Sequence, residues 1–173
     1  SLQAKIIRRI LLFIYRIIFK KNNIRVIFQN SDDEEDFIKK GLVDSNKSIL
    51  IKGNGIDTEL YKRSNYPSKL TFLFASRLLI DKGIREFIKC SERISTEDAV
   101  FKVAGERDDI NPNSLTEEDF EILNKSKNIE YLGKVEHSKM PELFNSASVF
   151  VLPSYREGIP QVALEAASSG MPL

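Results

Sequence analysis

The sequence predicts an α/β fold built on a doubly wound, Rossmann-like parallel sheet, on three observations. Short apolar runs alternate with stretches of helical periodicity from about residue 70 onward. Neither an internal repeat nor a low-complexity linker interrupts the alternation. The 173 residues suffice for one domain with a sizeable core, or for one domain and part of another. Strands that alternate with helices at this spacing lie parallel, because each helix carries the chain back across the sheet.

Residues 4–20 read as an amphipathic helix, since Ile6, Ile7, Ile10, Phe13, Ile14, Ile17 and Ile18 recur at helical spacing with basic residues between them. Two readings follow: a helix covering a sheet, or a basic helix lying on an anionic membrane surface. RVIF (25–28) is a short strand. Ser31 and Glu34 predict a capping box, which places the acidic block SDDEED in the first turn of a helix, where carboxylates favour the positive dipole end. Gly41 ends that helix and SILI (48–51) is the next strand. After a polar, glycine-bearing seam at 52–69 come strands 70–75, 100–105, 129–133 and 149–153. Between them lie helices 82–94, with the stripe Ile84, Phe87, Ile88 and Ile94, then one from a Ser114/Glu117 capping box to Lys125, then 139–146 capped by Ser138. A last helix covers 160–169. The seam suggests domains at 1–52 and 53–173, and both ends look cut: the first part has only two strands, and the final MPL resembles the start of another.

Composition excludes several classes. Acids and bases nearly balance at a net charge of +1, giving no reason to expect nucleic acid. Cys90 is the sole cysteine, so no internal disulfide forms, and its helical face predicts a core position. One His, His137, one Cys and no Asp-x-Asp pattern argue for chemistry without a metal. The apolar run at 10–19 is broken by Arg16 and falls short of the roughly 20 residues of a membrane span. The glycine patterns for dinucleotides and for the Walker A loop are absent, as is G-x-S-x-G, and His137 beside a helix cap offers no Ser/His/Asp set.

In an open parallel sheet, ligands bind beyond the carboxyl ends of the strands. There the loop SRLLIDKG places Arg77 and Lys82 close together, two cations that suit a diphosphate or simply face solvent. After the last strand, SYREGIPQVALEAA puts Pro160 at a first helical position, so that the amides of Gly158, Ile159 and Gln161 point out of the helix start and can meet an anion. Gly158 lets backbone approach a ligand. Glu165 shares a stripe with Gln161, Ser168 and Ser169, which faces either water or a ligand, while Glu157 sits in the turn without a propensity reason.

RLLIDKGIREFI, FKVAGERDD, IEYLGKV and FVLPSYREGIPQVALEAASSGMP, in this order and spacing, resemble the C-terminal nucleotide-sugar domain of the retaining glycosyltransferases with the GT-B fold, often called family four. Glu157 and Glu165 match its E-x7-E signature, and NGID (54–57) its hinge motif. VIFQNSDDEEDFIKKGL and INPNSLTEEDF resemble the branch that builds bacterial capsule, O-antigen or glycan chains on a polyprenyl diphosphate lipid. The resemblance implies the donor half of such an enzyme, with no cofactor or metal and a nucleotide sugar, with uracil as the base, as substrate. Arg77 and Lys82 would neutralise its diphosphate and Glu165 would bind the ribose. Glu157 would be the catalytic carboxylate, meeting the sugar and phosphates with the Gly158 and Ile159 amides. Gly105 and Val135 would flank the base and Gly55 the crevice floor. The acceptor, a lipid-linked saccharide or glycan, would come through an N-terminal domain of which residues 1–52 are the last part. The setting would be cytoplasmic, peripheral to the inner face of the plasma membrane. The chain alone is expected to bind a UDP-sugar weakly without transferring it. A nucleotide-sugar epimerase of the same architecture and a non-catalytic binding module are the alternatives. The donor site in this form has Arg77, Lys82 and the Pro160 turn sharing one cavity.

Overall fold

The structure, a computed structural model, describes residues 2–63, 66–95 and 97–173; Ser64 and Asn65 of the expected seam lie outside them. The chain divides into two compact units, Ser1–Asn54 and Gly55–Leu173.

The first unit holds α1 (Leu2–Phe19), β1 (Val26–Phe28), α2 (Ser31–Lys39) and β2 (Ser48–Leu50), with β1 and β2 paired in parallel. Asn30, not Ser31, caps α2: its side chain accepts the Asp33 amide at 2.8 Å. Asn caps as well as Ser does, and the shift keeps Asp32, Asp33 and Glu34 in the first turn. Gly41 ends the helix at φ 61°, with the Leu42 amide on the Phe37 carbonyl and the Gly41 amide on that of Ile38. Phe28, Leu42 and Val43 form a small core against which Leu12, Phe19 and Phe37 pack. The helix α1 therefore meets this core with its Leu12/Phe19 side. Its isoleucine stripe does not cover the two-stranded sheet: from Ile18 to Phe13 those side chains are 39–63% exposed.

In the second unit β3 (Leu70–Ala75), β4 (Ala99–Ala104), β5 (Ile129–Gly133) and β6 (Val149–Phe150) form one parallel sheet in the order β5-β4-β3-β6. The chain moves outward from β3 to β4 to β5 and then returns to the far side of β3, so the winding reverses between β3 and β6. Both faces are covered. Leu73, Phe144, Phe150 and Ala166 lie in one core cluster, while Phe74, Phe87, Phe101 and Leu123 lie in the other. Neighbouring residues of β3 thus serve opposite layers, as the period of a strand requires.

Helix α3 (Ile84–Ser91) buries Ile84, Phe87, Ile88 and Ser91, and Ile94 packs beyond its end. Cys90 falls off that stripe and is exposed rather than in the core. Helix α4 (Glu117–Lys125) is capped by Thr116 and Asp119 instead of Ser114 and Glu117. The Ser114 hydroxyl is taken by the Asp108 amide at 3.0 Å. Helix α5 (Met140–Asn145) follows a 3₁₀ turn, His137–Lys139, with no side-chain cap from Ser138. Helix α6 spans Gln161–Ser168, with Pro160 at the cap position, φ −68° and ψ 132°, rather than at the first helical position.

Candidate functional site

The carboxyl ends of β3, β4 and β5 open into a cavity of about 480 Å³. That is within the size range of small-ligand sites. Its floor is made of small residues, Ala75, Ser76, Ala104 and Gly105. Gly105 stands at φ 148°, and a Cβ there would lie 1.8 Å from the Ser76 carbonyl oxygen, so the two strand ends can approach only with glycine at this place. Arg77, Lys134, Val135 and His137 line the rim from the strand ends, and Gln161, Val162 and Glu165 close it from α6.

Arg77 is held loosely. Its side chain is 63% exposed and its nearest acid, Asp108, is 3.9 Å away. Lys134 pairs with Glu106 at 3.1 Å, both on the rim. No side chain caps α6, so its first amides are left to water or to an anion; Gln161 and Val162 line the cavity and Pro160 borders the smaller hollow.

Glu165 is 3% exposed and Ser169 is buried, while Gln161, at the start of the same stripe, is exposed. Tyr61, only 1% exposed, comes from the segment after NGID into the core cluster that holds Phe144 and Ala166. Asp57 builds the turn that delivers this tyrosine, accepting the Glu59 and Leu60 amides at 2.9 and 3.2 Å. Ser168 then donates to the Tyr61 carbonyl at 3.3 Å. The Tyr61 hydroxyl lies 3.4 Å from His137 Nε2. Burial pushes the Glu165 carboxyl above the usual carboxylate range, against the opposing pull of His137, Tyr61 and Gln161. Burial, and then the neighbouring Glu165 charge, pushes Tyr61 up to about 12.

The turn before α6 is built differently. Gly83, at φ 78°, sits where a Cβ would be 2.1 Å from the Pro153 carbonyl oxygen, which brings the β3–α3 and β6–α6 turns into contact. Across that contact Lys82 pairs with Glu157, which also accepts from Ser154 Oγ at 3.2 Å. Tyr155 joins the same contact, its amide on the Asp81 carbonyl at 3.0 Å and its hydroxyl on Glu86 at 2.6 Å.

The expected site residues therefore separate into two groups. Arg77, Gly105, Val135 and Glu165 share the cavity. Lys82, Glu157, Gly158, Ile159 and Pro160 do not line it, and Glu157 and Pro160 border a smaller hollow with Phe150 and Leu173. Among the described residues no single cavity is lined by Arg77, Lys82 and the Pro160 turn together, so the expected common pocket is not found; Lys82 is paired with Glu157 outside the cavity that Arg77 lines. Gly55 does not line the cavity; its carbonyl accepts from the side chain of Gln161, which does, at 3.1 Å. Gly158 is open: a Cβ added there would meet nothing within 4 Å. Sequence reasoning missed Tyr61 and His137. The signal for His137 was its place just past β5, at the ligand edge of the sheet; Tyr61 gave none beyond being an aromatic in a polar seam.

Residues 56–173 match the family described as glycosyl transferases group 1. The chain belongs to that family. The group 1 chain is 31% identical, over 97% of its length and 46% of the relative's, to N,N'-diacetylbacillosaminyl-diphospho-undecaprenol alpha-1,3-N-acetylgalactosaminyltransferase of Campylobacter jejuni. It is 29% identical, over 88% of its length and 42% of the relative's, to UDP-Gal:alpha-D-GlcNAc-diphosphoundecaprenol alpha-1,3-galactosyltransferase of Escherichia coli. It thus spans less than half of either relative. Among solved structures, the Anabaena protein HepE in complex with UDP and glucose superposes with a TM-score of 0.71 at 20% identity, covering 93% of this chain and 46% of that one. That likeness shows the fold, which is of the GT-B kind.

Proposed function

We propose that this group 1 glycosyltransferase chain carries the donor site of an enzyme that moves a sugar from a UDP-sugar, with retention, to a saccharide on a polyprenyl diphosphate lipid in bacterial surface-polysaccharide synthesis. One observation carries the reading: the cavity at the strand ends sets a loosely held cation, Arg77, and the uncapped start of α6 on the same wall system as a buried acid, Glu165. A nucleoside diphosphate has the matching order, an anion followed by hydroxyl donors. The Escherichia coli relative's name specifies a UDP-sugar and a lipid diphosphate, and the Anabaena structure holds UDP.

In this reading, breaking the anomeric C–O bond leaves negative charge on the departing diphosphate and positive charge on the ring. Arg77 and the α6 amides face the first charge without reorganising, and no metal is called on. Lys82 and Glu157 hold each other. A diphosphate that attracts Lys82 frees Glu157 for the electron-poor sugar. A lipid-borne acceptor sets the reaction at the cytoplasmic membrane face. Among the described residues no helix is long and apolar enough to cross a membrane. Both named relatives are transferases, and nothing in the site favours epimerisation.

Titration calorimetry of the chain with UDP, GDP and ADP tests the assignment. UDP is expected to bind preferentially, and Arg77→Ala to abolish the heat. Equal binding of the three, or binding indifferent to Arg77→Ala, refutes it.

A further inference from the structure

Arg77 and its acid are brought together by the backbone. The pairing of β3 with β4 continues past both strands: the Ser76 amide donates to the Ala104 carbonyl at 3.0 Å and the Leu78 amide to that of Glu106 at 3.1 Å. Arg77 stands between these two rungs. Beyond Glu106 the chain folds back on the same segment, the Leu115 amide bonding the Leu78 carbonyl at 3.0 Å and the Ile80 amide that of Asn113 at 2.7 Å. The turn so enclosed carries Asp108. Its amide donates to Ser114 Oγ at 3.0 Å, and its Oδ1 accepts the Ile110 amide at 3.3 Å. The other oxygen, Oδ2, is the one that lies 3.9 Å from Arg77.

At that distance the carboxylate lowers the potential at the guanidinium without a hydrogen bond to fix its direction. Arg107, one residue before Asp108, shows the alternative: it meets Asp109 at 2.6 Å, pairs with Glu117 as well, and is committed to the fold. Arg77 is masked rather than tied.

We propose that Asp108 is a built-in counter-anion that competes with the diphosphate of the donor for Arg77, and so sets how tightly the cavity holds a nucleoside diphosphate. The proposal rests on the reading of the cavity as a UDP-sugar site and deepens it. A phosphate that approaches Arg77 must share the guanidinium with a carboxylate held in place by its turn, and the two anions repel. Because no oriented bond is lost with the acid, its removal unmasks the cation rather than misplacing it. The effect is bounded in size, since both side chains are partly open to solvent.

Titration calorimetry of the chain with UDP at low salt tests the competition. Asp108→Asn removes the charge and keeps the oxygen that accepts the Ile110 amide. It is expected to tighten UDP about threefold over the native chain, and the gain to shrink as salt is added. Asp109→Asn is the matched control: it removes the same charge one residue on, where the carboxylate faces Arg107, and is expected to leave the affinity as it is. An Asp108→Asn chain that binds UDP no better than the native one overturns the proposal. So does one that binds less well, which would mean that Asp108 orients Arg77. Equal tightening by Asp109→Asn overturns it too, because net charge then explains the change, as does a gain indifferent to salt. Each of these outcomes leaves the UDP reading standing. If Asp108→Asn melts early, Asp108→Ser, whose hydroxyl can take the same amide, decides the matter. A native chain and variants that all fail to bind UDP overturn the reading of the cavity itself, and this inference with it.

Discussion

Glu157 and Glu165 lie on one short stretch of chain and meet opposite physics. Glu157 stands in a turn, neutralised by Lys82 across a contact between two loops. Glu165 is buried in the wall of the cavity, with a raised carboxyl that the neighbouring His137, Tyr61 and Gln161 only partly pull back down. An opposite charge satisfies a carboxylate that solvent can also reach, and binding must break that pair before the acid is available. A buried carboxylate held by oriented dipoles is available at once, at a standing cost in desolvation. The turn is thus suited to rearranging on contact with a ligand, and the wall to receiving one as it stands.

The contrast can be broken most forcefully in the turn. Gly83→Ala must place a methyl group 2.1 Å from a backbone oxygen at a left-handed φ. It is expected to cost on the order of 3 kcal/mol or more, read by denaturant unfolding, and to part Lys82 from Glu157. In the wall, Glu165→Gln is expected to weaken UDP about tenfold by calorimetry.

The same variant has a stability signature. Because burial raises the Glu165 carboxyl in the folded chain, that state retains a proton where the unfolded chain has lost it. Native stability from this group is therefore full below its ordinary value of 4.5 and falls as pH rises from there through the raised value. The melting temperature of Glu165→Gln should match the native one at about pH 4 and exceed it at about pH 7; the reverse trend would show that the acid is not desolvated. Smaller effects belong to the ion pair. A double-mutant cycle of Lys82→Ala and Glu157→Ala should give a coupling of about 1 kcal/mol or less in urea unfolding, since the pair is partly open to solvent. The least change is expected from Gly158→Ala, where an added carbon meets nothing and no positive φ must be strained: stability within about 0.5 kcal/mol of native by thermal melting.

Much of this was legible in the residues. The run LTFLFA is β3 to the residue, and the stripe Ile84, Phe87, Ile88 is the buried face of α3. Arg77, Gly105, Val135 and Glu165 were placed together by the rule that ligands meet strand ends, and by the resemblance. Caps were misplaced by a residue or two, because Asn30 and Thr116 offer the same chemistry as the serines beside them. That Lys82 pairs with Glu157 was not legible. Its loop reads as basic and glycine-bearing, and only the Gly83–Pro153 approach turns it to Glu157.

By itself the sequence determined which segments are strands and which are helices, and that the sheet is parallel, because periodicity and propensity act over a few neighbouring residues. The tertiary structure alone decided that Glu165 is buried, that His137 shares its cavity with Tyr61 next to His137, and that Glu157 is already paired. Those contacts join segments far apart in the chain, brought together at the carboxyl ends of the parallel strands. A local pattern records what a residue can do, whereas the path of the backbone determines which residues it meets.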